Sequence, residues 1–358
     1  MGAIQDIKIM NNEEHRDKYN EIVTGLKSGT FKNVIFITGA GISTAAGIPD
    51  FRSKGGLFEQ TKKKYGLSRP ESFFQINYFY NHPEHFYEFC KNFDISECRP
   101  TPTHLFMGFL CNVKKIVRRI FTQNVDGLEL LAGVPRKKMT FAHGTITEAG
   151  CPGCLEEYDL ELVREYVNKD QVFYCPSCGK PVKPKVVFYG ENLPDSFFQD
   201  FNDIYKTDIA FIMGSSLAVY PFNQLPYGIK DAWRVLVNKD EVGNFLAGLV
   251  TMNQFRFNNP KKKDLFLSGY TDDVVKKLVE DCGWKEEFDE YCKIWLDKFE
   301  ENLKNEKLKK QQAEGVKGHE HKEIRHQKPG VYDEANSGND MNNNGQEQQK
   351  EEKEKIAE

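Results

Sequence analysis

Two cysteine pairs, Cys151-Pro-Gly-Cys154 and Cys175-Pro-Ser-Cys178, stand 20 residues apart near the middle of a 358-residue chain. Each pair is a tight turn presenting two thiols. Two such turns supply a tetrahedral ligand set at the edge of the standard zinc-ribbon spacing. Redox chemistry is the alternative for a single pair, but one Zn²⁺ accounts for both pairs at once. Four protein ligands leave no open coordination position, so the ion is expected to be structural. The total of nine cysteines is odd, which argues against a disulfide framework. Cys90, Cys98, Cys111, Cys282 and Cys292 are scattered and read as small core residues.

The cysteine turns interrupt a different pattern. Short apolar runs at Val34–Thr38, Ile116–Thr122, Met139–Ala142, Lys185–Phe188, Ile209–Gly214 and Val235–Asn238 read as strands. Several are apolar throughout rather than alternating, as strands covered on both faces are. Helical segments such as Asp126–Ala132 and Asp272–Cys282 fall between them. This βαβ rhythm predicts a doubly wound α/β fold with a parallel sheet. An aromatic, helical insert (Pro70–Phe93) and the cysteine-bearing insert break the rhythm, as a small domain threaded into the large one would. From Glu301 onward the composition turns to Lys, Glu, Gln, Asn and Gly, which predicts a disordered tail of about 50 residues. Before it, Phe288, Tyr291, Trp295, Phe299 and Leu303 keep helical spacing and close the folded part.

A net charge of −4 gives no reason to expect nucleic acid, and Lys62–Lys64 and Lys261–Lys263 read as solvated faces. The longest apolar stretches, Val34–Ile37 and Phe245–Met252, fall far short of the ~20 residues that span a bilayer. No signal peptide opens the sequence, and Asp6 stands where a myristoylation signal wants Ser or Thr. The expectation is a soluble protein of the cytoplasm, with the nucleus left open. The sequence does not set the oligomeric state.

The first strand runs into Gly39-Ala40-Gly41-Ile42-Ser43-Thr44. Glycines there let the backbone approach a pyrophosphate, and a following helix N-terminus would offer unpaired N–H groups. Taken alone it is equally a simple tight turn. As a dehydrogenase fingerprint it fits poorly, because Thr44 replaces a glycine and no acidic ribose partner follows ~20 residues on. Gly47-Ile48-Pro49-Asp50-Phe51-Arg52 reads either as a loop covering a ligand or as a surface Asp50–Arg52 pair. Gln123, Asn124 and Asp126 sit at a strand end, where α/β sheets place ligand groups; a helix N-cap explains one of them but not three. His143, in Phe141-Ala142-His143-Gly144, is a candidate general base whose bland alternative is a packed core histidine. His104 reads as a helix-start or packing residue. Gly214-Ser215-Ser216 is a second small-residue turn suited to ribose or phosphate, and Asn238 ends a further strand.

Together these residues resemble the sirtuin family, the NAD-dependent protein-lysine deacylases. The elements stand in family order: Gly39–Ser43, Gly47–Arg52, Thr122–Asp126, His143-Gly144, the paired cysteines, Val187–Glu191, Gly214–Leu217 and Val237–Lys239. The likeness covers about Phe31 to Trp284. It is greatest to the class I eukaryotic branch, through Lys183-Pro184 and Gly283-Trp284-Lys285. It implies a Rossmann-like large domain (31–52, 116–147 and 185–284) and a cofactor loop with a helical module (53–115). It further implies a zinc-binding module (148–184), flanked outside the large domain by an N-terminal extension (1–30), a closing helix (285–305) and the tail (306–358).

Carried over by position, Gly39, Ala40, Gly41, Ser43 and Thr44 would meet the phosphates of NAD⁺, and Asp50, Phe51 and Arg52 would form its mobile loop. Gln123, Asn124 and Asp126 would surround the nicotinamide and its ribose. Gly214, Ser215, Ser216, Asn238, Lys239 and Thr271 would hold the adenosine end. Val187, Phe188, Tyr189, Gly190 and Glu191 would bind the acyl-lysine protein or peptide, whose backbone adds as an extra strand. The resemblance implies attack of the substrate amide oxygen on C1′ of the nicotinamide ribose. His143 would act as general base, with Asn124 and Asp126 beside it, and the products would be nicotinamide, free lysine and O-acyl-ADP-ribose. NAD⁺ is then a consumed co-substrate. Two departures stand out. Tyr189 replaces the family's usual Phe, and Cys90-Lys91-Asn92-Phe93 lacks the arginine of members that remove acidic acyl groups. Neutral acyl groups, acetyl first, are therefore expected. The rivals are a mono-ADP-ribosyltransferase on the same fold and a non-catalytic zinc-ribbon interaction module.

Overall fold

The computed structural model describes residues 13–93, 95–242 and 254–323, with side chains to 309. The chain divides into two compact units, residues 1–305 and 306–358. The apolar run Phe245–Met252 and the tail beyond 323 lie outside the described residues.

The first unit is built on β1 (Val34–Thr38), β2 (Val117–Thr122), β3 (Met139–Phe141), β4 (Gly144–Gly150), β5 (Glu157–Tyr158), β6 (Lys183–Val186), β7 (Ile209–Met213), β8 (Trp233–Asn238) and β9 (Asp264–Ser268). Six form one sheet in the order β3-β2-β1-β7-β8-β9, with every pairing parallel. All five residues of β1 are buried: Val34 and Phe36 enter one apolar cluster, Ile35 and Ile37 the other. A strand buried on both faces has no polar side to show, which is why these segments read as unbroken apolar runs. The chain builds outward from β1 to β3, then returns to the other side of β1 with β7. That reversal opens a crevice at the carboxyl ends of β1 and β7.

Helices α1 (Glu13–Lys27), α2 (Leu57–Tyr65), α3 (Ile76–Asn81), α4 (Pro83–Asn92), α5 (Pro102–Phe109), α6 (Leu128–Leu131), α7 (Leu160–Asn168), α8 (Asp195–Asp200), α9 (Leu225–Gly228), α10 (Thr271–Asp281) and α11 (Lys285–Glu323) complete the described elements. One sheet face is covered by α1, α5, α10 and α11 through Ile22, Phe106, Leu278 and Phe288; the other by α8 and α9 through Phe197 and Leu225. The small module has its own core, where Phe58, Phe73, Phe79, Phe86 and Phe188 meet Val163 and Cys151.

The structure corrects several expectations. The strand read at Lys185–Phe188 lies two residues earlier, as β6 (Lys183–Val186), and belongs to a separate antiparallel sheet, β5-β4-β6. The helix expected after the Gly39 turn is two short 3₁₀ turns, Ala40–Ile42 and Thr44–Ala46, ended by Gly47 at φ +90°. Only four residues of Asp126–Ala132 are α-helical. Finally, α11 runs to Glu323, past residue 305 where the disordered tail was expected to begin. Lys, Glu and Gln cannot build a core, yet they are good helix formers.

Candidate active-site cleft

The turns after β1 and β7 pack backbone to backbone. A Cβ on Gly41 would lie 2.7 Å from Gly214 Cα, and one on Gly214, at φ +61°, would lie 2.6 Å from the Ile42 amide nitrogen. The Gly41 amide donates to the Gly214 carbonyl at 2.8 Å. These glycines therefore close two strand ends on each other as well as leaving bare backbone toward the crevice.

Above them lies a cavity of about 570 Å³. Ala40, Gly41, Thr44, Asp50, Phe51, Arg52, Gln123, Asn124, His143, Gly214, Ser215, Ser216, Asn238, Lys239 and Thr271 line it, and so do Val187, Phe188, Tyr189, Gly190 and Glu191. Gly39, Ser43 and Asp126 are not on its wall. Ser43, 1% exposed, sits behind it, donating to Asp126 Oδ2 at 2.9 Å and accepting from Asn124 Nδ2 at 3.0 Å. Asp126 Oδ1 also accepts from the Leu128 amide at 3.0 Å, an Asx-type turn leading into α6, whose cap position is Gly127 with no side-chain cap bond. Ser215 donates to Gln123 Oε1 at 2.7 Å, tying the β7 turn to the end of β2.

The Asp50 loop is folded on itself. Asp50 accepts from the amides of Arg52 and Ser53 at 3.0 and 2.7 Å and from the Ser53 hydroxyl at 2.5 Å. Burial raises its pKa, but the Ser53 and Arg52 donors outweigh burial and hold the carboxyl below its ordinary value. Of the two readings of this segment, the surface Asp50–Arg52 ion pair is absent, and Asp50 instead forms an Asx-type turn. Arg52 reaches across to donate to the Tyr189 hydroxyl at 3.2 Å, and the Phe51 ring packs on Phe58 and Phe74.

Across the cavity, β6 and β4 meet beside His143. The Val187 amide donates to the His143 carbonyl at 2.8 Å, and Gly144 pairs with Val186. Burial pushes the His143 imidazole down to about 4, partly opposed by the Gln123 main chain, so the ring is neutral at pH 7. Glu191 lines the cavity with its carboxylate already engaged, accepting from the Phe188 amide at 2.7 Å and from Lys183 Nζ at 3.0 Å.

The four cysteines of the paired turns converge. Their sulfurs all lie within 4.8 Å of one another, with Cys151–Cys178 at 3.3 Å and Cys154–Cys175 at 3.5 Å. Four soft thiol donors in a compact set fit one tetrahedral Zn²⁺.

The Sir2 family profile matches residues 39–221. The chain is 41% identical over 280 residues to the NAD-dependent deacetylase sir2A of Dictyostelium discoideum, covering 76% of this chain and 53% of that protein. It is 34% identical to the NAD-dependent protein deacetylase hst2 of Schizosaccharomyces pombe, over 83% of this chain and 85% of that one. With the NAD-dependent protein deacetylase sirtuin-2 of Danio rerio it shares 38% identity, over 74% of this chain and 72% of the other. The chain belongs to the Sir2 family. The sir2A protein is about twice as long as the stretch matched here, while the other two are matched over most of their length.

The Sir2 cavity has wall residues that sequence reasoning did not single out. Phe58 and Phe74 come from the helical module, and Tyr220 and Tyr270 stand at the rim, 76% and 61% exposed. The aromatic density of Pro70–Phe93 was the available signal for Phe74. For Tyr270 the signal was its position beside Thr271; the Lys239 ammonium lies 4.5 Å from its ring centre. Glu129, on α6 behind Asp126, carried no signal in the sequence.

Proposed function

We propose that this Sir2-family chain is an NAD⁺-dependent protein-lysine deacylase acting on neutral acyl groups, acetyl first. The observation that carries this is a single cavity with two unlike halves meeting at His143. One half is bare backbone and small polar side chains (Gly41, Thr44, Ser215, Asn238), suited to a dinucleotide. The other is walled by Val187, Phe188 and Phe74, suited to an aliphatic side chain carrying a neutral cap. The deacetylase names of the relatives support the same reading.

In this reading NAD⁺ supplies the acyl acceptor and releases nicotinamide. Ala40, Gly41 and Thr44 hold its phosphates, Gln123 and Asn124 orient the nicotinamide ribose with Asp126 bracing Asn124 through Ser43 from behind the wall, and Ser216, Asn238, Lys239 and Thr271 hold the adenosine end. His143, neutral at pH 7, takes a ribose hydroxyl proton. The Phe51–Arg52 segment keeps water off the reacting carbon. Val187 and Phe188 line the channel for the acyl-lysine side chain, with their amides spent on the His143 carbonyl and on Glu191, which braces the strand. Four thiolates fill the zinc, so the ion shapes the small module and takes no part in the chemistry.

The test is incubation with NAD⁺ and a panel of acetyl- and succinyl-lysine peptides, read by mass spectrometry. Nicotinamide, free lysine and O-acetyl-ADP-ribose are expected, with acetyl turned over faster. ADP-ribose covalently attached to protein, without deacylation, would establish the transferase rival instead. Faster turnover of succinyl-lysine would overturn the acyl preference.

A further inference from the structure

Behind the cavity wall lies a fully buried carboxyl group with no counter-charge beside it. Glu129 is 0% exposed, and among the described residues neither of its oxygens has a partner in good hydrogen-bond geometry, the Thr122 hydroxyl and its own amide being the nearest donors. One turn earlier stands Asp126, and His104 reaches in from α5; ligating atoms of the three lie within 4.8 Å of one another. These are the titratable groups that meet Glu129, one from its own segment and one from the helix packed against it; Ser43, from the β1 turn, brings a hydroxyl.

The hydrogen bonds decide how charge is shared. Asp126 has donors on both oxygens, the Leu128 amide and the Ser43 hydroxyl. His104 Nδ1 accepts from the Thr101 amide at 3.2 Å, which leaves its proton on Nε2, facing Ser43 Oγ at 3.4 Å. Burial pushes His104 down to about 3, so it carries no charge at pH 7. Burial raises the pKa of Asp126 as well, so the pocket disfavours two neighbouring carboxylate charges, and Asp126 has the closer donors in the Leu128 amide and the Ser43 hydroxyl. The charge therefore settles on Asp126 and the proton on Glu129. Burial and then the Asp126 charge push Glu129 up to about 8, against smaller lowering by its own amide and the Thr122 hydroxyl.

We propose that Glu129 is a positioning residue for Asp126, holding one proton for the pair until the cationic nicotinamide ring of NAD⁺ docks and then losing it to solvent. The proposal rests on the NAD⁺ reading above. Only the Glu129 O–H bond breaks: the electron pair stays on the carboxylate, the proton goes to buffer, and the pair gains one negative charge opposite the arriving ring. In the acid form the pair presents Asp126 without doubling the buried charge, and in the ionised form it matches the ring.

Calorimetry of NAD⁺ binding to the full-length, zinc-loaded protein, in phosphate and in Tris, counts the protons released. At pH 7 wild type should release roughly 0.5–1 proton per NAD⁺, and its affinity should rise roughly tenfold from pH 6.5 to 8. Glu129→Gln, whose amide imitates the neutral acid, should bind NAD⁺ with no release and a flat pH dependence. Equal release by both proteins, or binding by wild type with no release, overturns the proposal. If Glu129→Gln fails to fold, infrared difference spectra of wild type decide alone: a protonated-carboxyl band must disappear on adding NAD⁺, and its persistence overturns the idea. Absence of binding heat in every buffer would instead overturn the NAD⁺ reading, and the proposal with it.

Discussion

His143 sits on the boundary between the polar and apolar halves of the cavity, and its burial sets its charge. His143→Ala should lower deacylation by a factor of about 10²–10⁴ while NAD⁺ still binds, as measured by turnover and by calorimetry. Burial also links this residue to acid stability. With its folded-state pKa near 4 against an ordinary 6.5, the unfolded chain takes up a proton that the folded chain refuses. Stability should therefore fall as pH drops from 6.5 toward 4, by at most about 3 kcal/mol from this group. Urea midpoints across that window check it, and the slope should be shallower in His143→Ala. Glu129 works with the opposite sign: its raised folded pKa removes stability as pH climbs from the ordinary carboxylate range toward 8. His143 was picked out in the sequence by its neighbours and by the family resemblance, since alone it read as a packed core histidine, and the structure places it on the cavity wall. Glu129 was illegible because its burial comes from α5 and the β1 turn, which the sequence places far away.

At the scale of elements, the junction of β4 and β6 holds both the candidate base and the substrate wall. Gly144 makes the junction possible: its φ is +73°, and an added Cβ would overlap the Lys185 carbonyl oxygen. Gly144→Ala should cost about 3 kcal/mol or more and reduce activity, although no functional side chain is removed. Thermal unfolding and kcat/KM for the peptide measure the two effects; a variant of wild-type stability would show that this junction is not strained as described. The parallel strands β1, β7 and β8 were readable, since full burial writes an apolar run. β4 was not, because Gly144-Thr-Ile-Thr-Glu-Ala-Gly150 mixes glycine and polar residues and is held as a strand by β5 and by β6, which returns only after the cysteine turns. β9 was hidden similarly, with Asp264 in its first position spent on the buried Arg234 pair and Lys261–Lys263 just before it.

Across the whole molecule, the chain leaves the large sheet after β1, returns for β2 and β3, leaves again through β4 to β6, and returns at β7. The crevice lies where these crossings meet, so its two halves belong to parts stabilised by different means. The dinucleotide half rests on glycine backbones packed within the large sheet. The substrate half rests on β4 and β6, and β4 runs roughly 20 Å from Gly144, beside His143, to Gly150, beside Cys151. The cysteine cluster, with zinc bound, would therefore anchor the far end of the strand whose near end adjoins His143. Stripping zinc with a chelator should lower Tm by an amount on the order of 10 °C. Deacylation should be abolished, while NAD⁺ affinity falls much less, because the contacts between the β1 and β7 turns contain no thiol. Returning one equivalent of Zn²⁺ should restore activity, measured by metal content, calorimetry and peptide turnover on the same sample. If NAD⁺ binding and deacylation vanished together and in proportion, the two halves would share one support. If a metal-free protein stayed fully active, the cysteine turns would not be what holds β4 in place.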